Sequence, residues 1–461
     1  MQSHGTFARP FILEAMNAMH RIVAIGLIAG ASAAGAQQQL PPLRPLGPVL
    51  ATSTEPMSSV AQVRALPGGR VLVHDLTGRR VLLFDSTFAH ATVVADTTGA
   101  TGNAYGSRLG GLIAYRGDSS LFVDPQSLSM LVIDPNGKIV RTMAAPLPNE
   151  VNALIGGQNG TPGFDAQGRL VYRAQFRPMF DRRVGPGGPA GFQMPQLPES
   201  SYVVRVDLKT RKVDTASTFR IPKINLNVTN DDNGRFTVTT TVNPIPWTDD
   251  WALLSDGTLA VVRGQDYRVD FVSADGKVTS GPKIPYDWQR LTDEDKARII
   301  DSTKTAMEKI RDAQMAANAA ANPEAAKADS ASKAGGRQRV QAEGGGNMQI
   351  TIGGRGGGPG GGPIGFTLPP LQFVTPNEMP DYRPVFRQGS ARGDDDGNLW
   401  IRTSNVTAAG TEYDVISNKG ELKDRVLVPP GRVIAGFGPG GMVYMGVVDG
   451  MTTKLERAKI K

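Results

Sequence analysis

The sequence predicts an all-β chain: a propeller of six blades, sewn shut by a strand from its own N-terminal side. Three observations carry that expectation. A unit of two short apolar strands joined by a turn recurs six times along the 461 residues. The last copy has no strand after it, whereas an unclaimed alternating stretch precedes the first. Glycine (55) and proline (33) are plentiful while aromatic residues make up only 6%, which suits a turn-rich β fold.

The unit is clearest at Gly69 to Asp85. Gly69 closes a turn after Leu66-Pro67-Gly68, where a residue tolerant of positive φ is needed. Val71 to Val73 is an apolar, β-branched run that reads as a buried strand. Asp75 to Gly78 turns the chain, and Arg80 to Phe84 is the second strand. Later copies pair Leu121–Val123 with Met130–Ile133, Leu170–Tyr172 with Tyr202–Val206, and Leu259–Val262 with Val269–Val272. The last two pair Leu399–Ile401 with Tyr413–Ile416 and Met442–Met445 with Thr453–Arg457. Turns such as Asp134-Pro135-Asn136-Gly137, Asp165 to Gly168 and Asp256-Gly257 punctuate them; in the second copy Ser119-Ser120 replaces the turn glycine. On these residues the chain resembles six-bladed β-propellers of the NHL/TolB-like kind, from about Val60 to Lys461 apart from the insertions. The resemblance implies the fold and leaves the activity open, because this fold hosts hydrolases, lyases, receptors and scaffolds alike.

Residues 1–36 read as a signal peptide. Met19-His20-Arg21 is basic, Ile22 to Ala29 apolar, and Ala34-Gly35-Ala36 a small-residue cleavage site. The apolar run is short for a membrane span, so the mature chain is expected to have none and to be periplasmic or extracellular after cleavage near Ala36. With no cysteine there is no disulfide, and the core alone must hold the fold. Residues 37–48 are proline-rich and expected to be flexible. The propeller is expected over 49–461, with Val49 to Thr54 supplying the outer strand that the last copy lacks, which removes two open sheet edges.

Strand direction alternates within a blade, so the loops joining strands two and three emerge on the same face as those joining successive blades. Three long insertions leave at such points: Ala174 to Ser200, Pro222 to Thr248, and Ile284 to Tyr382. All three should therefore roof one face over neighbouring blades. The second contains a hairpin with Asn230 to Gly234 at its tip. The third, 284–382, contains a helix over about 292–318 that opens on Thr292 and Asp295 as a capping box. Ile299, Thr303, Met307, Ile310 and Gln314 share one face of it, expected to pack on the propeller or on another insertion rather than to bind a partner. Residues 322–365, rich in Ala, Lys and Gly, are expected to be disordered.

The formal net charge of +7 mildly favours acidic partners and does not argue for nucleic acid. Gly353 to Gly358 lacks the Gly-Lys-Ser/Thr ending of a phosphate loop. Of four histidines, His4 and His20 leave with the signal; His74 and His90 lack zinc-helix spacing. No Gly-x-Ser-x-Gly elbow is present. The acid-dense turns Asp394 to Asn398 and Asn230 to Gly234 read as solvated turns before calcium loops.

Aligned on the turn glycine, the copies place His74, Asp75, Asp124, Arg173, Arg263 and Arg402 at or just past the end of strand two, near the channel mouth. Three arginines from three blades could converge on a carboxylate or phosphate, since guanidinium pairs with both. The competing expectation is salt-bridged arginine at strand ends. Tyr172, Trp400 and Tyr444 should pack between blades; Trp247 and Trp251 flank the start of the fourth. The function expected is a monomeric binding propeller with no catalytic residue and no cofactor, taking a small anionic ligand, a peptide or a protein partner. The alternative is a hydrolase or lactonase with calcium or another divalent metal at the axis, which would need Glu, Asn and Asp oxygens converging there.

Overall fold

Strands in this chain form wherever a short apolar run is bounded by Gly, Asp or Asn, and they assemble four to a blade. The computed structural model describes residues 40–98, 103–106, 109–175, 198–223, 225–230, 236–321 and 372–460. The segment expected to be a signal peptide, most of the first insertion, the tip of the 230–234 turn and the glycine-rich run lie outside these residues. Two strands precede the blades, β1 (Leu43–Pro45) and β2 (Val49–Thr52). Blade one is β3 (Gln62–Ala65), β4 (Val71–Asp75), β5 (Arg80–Phe84) and β6 (Ala91–Asp96); blade two is β7 (Gly111–Ala114), β8 (Ser120–Asp124), β9 (Ser129–Ile133) and β10 (Ile139–Ala144). Blade three is β11 (Gly163–Phe164), β12 (Leu170–Arg173), β13 (Ser200–Val206) and β14 (Val213–Arg220). The second insertion adds β15 (Asn225–Asn230) and β16 (Phe236–Val242). Blade four is β17 (Asp250–Leu253), β18 (Leu259–Arg263), β19 (Arg268–Val272) and β20 (Val278–Ser280). The third insertion carries α1 (Asp293–Ala321) and β21 (Gln372–Phe373). Blade five is β22 (Phe386–Gly393), β23 (Leu399–Thr407), β24 (Gly410–Ile416) and β25 (Leu422–Val428); blade six begins β26 (Arg432–Gly438), β27 (Met442–Asp449), β28 (Thr452–Lys459).

The sixth blade is completed by β2, antiparallel to β28 with Val49 opposite Ala458 and Thr52 opposite Glu456. Just beyond it, Ser53 Oγ accepts a hydrogen bond from the Leu455 amide at 2.9 Å. The fold is therefore a six-bladed propeller closed by its N-terminal side. One feature departs from expectation. β1, inside the stretch expected to be flexible, adds in parallel to the outer edge of blade five, with Leu43 opposite Arg425. The open edge of β25 supplies the pairing, and Asp424 accepts from Arg44 Nε at 3.0 Å.

The core lies between blades. Leu72, Val81 and Val94 of blade one meet Leu112, Phe122 and Ile133 of blade two, and comparable clusters fill the other junctions. Each such side chain stabilises the fold by about 1.5–3 kcal/mol. Tyr172, Trp400 and Tyr444 are buried in these junctions, as expected. Inner strands of adjacent blades approach closely: a Cβ on Gly393 would lie 2.1 Å from Leu253 O, and one on Gly436 2.4 Å from Val63 O. Only glycine fits at either place.

The connections β12–β13, β14–β17 and β20–β22 all leave by one face. There β16 pairs in parallel with β21, Thr241 opposite Gln372, so the second and third insertions share a sheet. Beneath it, Ile245, Leu291, Val374 and Met379 form a core against which Ile299 and Ile300 pack. The helix opens as expected, with the Asp295 amide donating to Thr292 Oγ1 and the Thr292 amide to Asp295 Oδ2. Lys296 is buried and its Nζ reaches Asp381 Oδ1 at 2.9 Å. The stripe is part-buried at Ile299, Thr303 and Met307 and opens to solvent at Ile310, which is 57% exposed. Among the described residues no helix is long and apolar enough to cross a membrane.

Candidate functional site

The six residues read as mouth-lining take quite different positions. His74 is buried at the first blade junction, edge-on to the Phe122 ring at 5.2 Å, with neither ring nitrogen hydrogen-bonded. Asp75 is buried too and organises the local turn, accepting from the Ser59 and Gly78 amides and from Arg80 Nε. Asp124 does the same in blade two, accepting from the Gly106 and Gln126 amides. These three are structural: strand two is covered on both faces, so its last residues point into junctions rather than into solvent.

Two of the three arginines meet at one place. The Arg173 guanidinium lies over the Phe219 ring, 5.2 Å from its centroid. Arg263 donates from Nη1 to Thr218 O at 2.9 Å, next to that same phenylalanine. Arg402, on blade five, is exposed and not part of this group; with Arg392 it acts on the buried Tyr413 phenol, whose pKa burial raises.

Arg263 is held rigidly. Its Nε donates to Asp270 Oδ2 at 2.7 Å and its Nη1 to Asp249 Oδ2 at 3.0 Å. Its Nη2 has no partner among the described residues. Asp249 is fixed in turn by the Arg220 and Gly264 amides. These groups line a cleft of about 320 Å³ on the insertion-bearing face, between blades three and four. Phe219, Thr218 and Ser200 complete its wall, while Arg220 and Glu199 stand at the rim. Arg220 leans on Gln265 Oε1 at 2.8 Å, and Glu199 pairs with the exposed Lys223, a contact of small energetic weight.

A second polar group lies at the axis. Asp250 begins the inner strand of blade four, is 1% exposed, and spans to blade five. Its Oδ2 accepts from the Ser390 and Ala391 amides at 2.7 and 2.8 Å, which a bulge at Gly389 (φ 81°) turns toward it. Its Oδ1 has no partner, and burial pushes its pKa up to about 6. Arg173 and Arg392 both feel its charge. The segment Gly157–Asn159 covers this point: Trp251 Nε1 donates to Asn159 O at 3.0 Å, and the Gln158 backbone lies against Gly389.

These residues do not fit a divalent metal. Guanidinium neighbours repel a cation, and no group of three potential His, Cys, Asp or Glu ligands occurs among the described residues. Two acids of the Asp394 turn are also engaged: Asp394 accepts from the Asn398 amide and Trp400 Nε1, and Asp396 from the Gly441 amide. The sequence reading missed Asp249, Asp250, Arg220 and Arg392. The Asp249-Asp250 pair immediately before an apolar strand was the available signal. Arg392 gave none, standing in a stretch read only as leading into a turn.

No family model and no curated protein matches this chain. Among solved structures it is similar to a gluconolactonase from Xanthomonas campestris, with 12% identity and a TM-score of 0.35 over 90% of this chain and 99% of that one. It is also similar to regucalcin, a calcium-binding protein from Agrobacterium tumefaciens (12% identity, TM-score 0.39, 92% and 97% covered). A third is virginiamycin B lyase from Staphylococcus aureus (10% identity, TM-score 0.33, 90% and 88% covered). None of the three lends its chemistry to this chain. The six-bladed fold rests on the strand order above.

Proposed function

We propose that the chain is an exported, monomeric binding propeller of the NHL/TolB-like kind that takes a small ligand bearing a carboxylate or phosphate. The ligand would sit in the cleft between blades three and four. The observation that carries this reading is Arg263: two aspartates hold its fork in place, and Nη2 is left for a ligand in an open surface cleft. Arg220 would supply a second cation, and Phe219, backed by Arg173, an apolar wall. No cofactor is required. The test is a thermal-shift and calorimetric screen of small carboxylates and phosphomonoesters. Binding should fall at least tenfold in Arg220→Ala, whose exposed side chain leaves the fold alone. Affinity that is equal in both proteins would overturn the reading.

A hydrolase working at the axis is the second reading, and Asp250 favours it. A buried carboxyl with one unpartnered oxygen and a pKa near 6 is suited to move a proton near neutral pH. Some similar structures are enzymes, but that likeness is too distant to add weight. Since the surrounding donors do not suit a metal, no metal-dependent step is assigned. Turnover of lactones or esters that disappears in Asp250→Asn would favour this reading over binding alone.

A further inference from the structure

β14 is the outermost strand of blade three, and among the described residues no strand pairs with its outer edge. It is eight residues long, against three to six for β6, β10, β20 and β2, the outer strands of four other blades. Its register shows which residues face outward. Tyr202 turns its carbonyl to the Ala174 amide, toward β12, so Thr218 opposite it directs its own amide and carbonyl away from the sheet. At the other end the Asp207 amide donates to Lys212 O, and counting from that pair turns Val213 and Thr215 outward as well. All three residues are exposed.

Blade four closes one end of that edge, and it does so at the cleft. Arg263 Nη1 donates to Thr218 O at 2.9 Å, where an amide of a further strand would otherwise sit. Beyond it, the Asp249 amide donates to Arg220 O at 2.9 Å and Asp249 Oδ2 accepts from the Arg220 amide at 3.0 Å. A strand laid along β14 from Val213 must therefore stop at the Arg263 guanidinium. Resting on the reading of the cleft given above, we infer that its ligand is the free C-terminal carboxylate of an extended peptide, which adds as a strand parallel to β14 and ends on Arg263 and Arg220.

The direction follows from the geometry: β14 runs toward Arg220, so a chain that ends there runs the same way. Val213 to Ser217 offers a length of about five residues at roughly 3.3 Å each. Blade five shows such an edge taking such a partner, since β1 lies parallel on β25 with Leu43 opposite Arg425. The chemistry selects the end of a chain over its middle. An internal strand would pair with the edge and bring no anion to Arg263. A free phosphate would meet the guanidinium and leave the edge bare. A carboxylate carried at the end of a strand answers both.

The experiment is fluorescence anisotropy of the full chain with the hexapeptide Ser-Thr-Val-Thr-Val-Ala, labelled at its N-terminus and free at its C-terminus. It should bind at least tenfold tighter than acetyl-alanine, measured by competition, and amidation of its C-terminus should weaken it at least tenfold. Methylating the backbone amides of alternate residues should weaken it at least tenfold in one register and less than threefold in the other. Thr215→Pro removes an outward amide and leaves the pairing with β13 alone. It should keep the melting temperature and the affinity for acetyl-alanine while weakening the hexapeptide at least fivefold; the methylated peptides test the same edge with the parent protein. Equal affinity of the acid and the amide, or equal effects of the two methylation registers, would overturn the inference. If a small carboxylate or phosphate binds and the hexapeptide binds no tighter than acetyl-alanine, this inference alone falls; if nothing binds, the reading of the cleft falls with it.

Discussion

His74 shows how far burial can overrule a residue's usual role. Closed in at the first blade junction, its ring is pushed down to a pKa of about 4, below the value near 6.5 of an unfolded chain. The folded protein thus resists a proton that the unfolded chain accepts. Stability present above pH 6.5 is lost as pH falls toward 4, by about 3 kcal/mol in all. Asp250 and Asp414 act in the opposite sense. Burial raises them to about 6 and about 7, so their contribution is complete below pH 4 and lost as pH rises through those values. Urea midpoints of His74→Leu should therefore fall less than those of the parent between pH 7 and pH 5; equal losses would show that the ring is solvated. Asp414→Asn still accepts from the Tyr267 hydroxyl, and it should be the more stable protein at pH 8 and no different at pH 4. His74 also marks a limit of the sequence. Period-two alternation tells inside from outside only when one face of a strand is wet, and β4 is buried throughout. The end of strand two therefore looked like a mouth and is a junction.

Elements divide by whether apolar surface lies beneath them. Leu291 sits in the small core under the insertions, and Leu291→Ala should cost about 2–4 kcal/mol by chemical denaturation. Ile310→Ser, further along α1 and more than half exposed, should be neutral within about 0.5 kcal/mol. A comparable cost for the two would mean that the helix docks along its whole length. Strands two and three of every blade were legible in the sequence because they are buried and bounded by turn residues. The inner and outer strands were harder to read. β11 is two residues long, β20 is fully exposed, and β1 forms only because an edge in blade five awaits it. Such strands owe their conformation to a neighbour rather than to their own residues. The pairing of β16 with β21 joins segments far apart in sequence, and nothing local announces it.

At the scale of the whole molecule, closure depends on one short strand. Removing residues through 48 takes away β1 and should lower the melting temperature modestly. Removing residues through 54 also takes β2 and the Ser53 contacts, leaves the outer edge of β28 unpaired, and should yield aggregated protein in size-exclusion chromatography. A monodisperse product from the longer deletion would contradict closure by β2. The alternation of strand direction also sends every long insertion to one rim, and that consequence of topology could be counted from the sequence before any side chain was placed. The site itself could not be counted in this way, because Arg263 gains its orientation from Asp249 and Asp270, and the latter lies across a hairpin. The central claim is that ligand binds on the insertion-bearing face, between blades three and four. Hydrogen–deuterium exchange with and without the tightest carboxylate or phosphate from the screen tests it most directly. Slowed exchange at 198–221 and 249–265, with the opposite-face turn 394–398 unchanged, is the result expected; protection confined to that turn would contradict it.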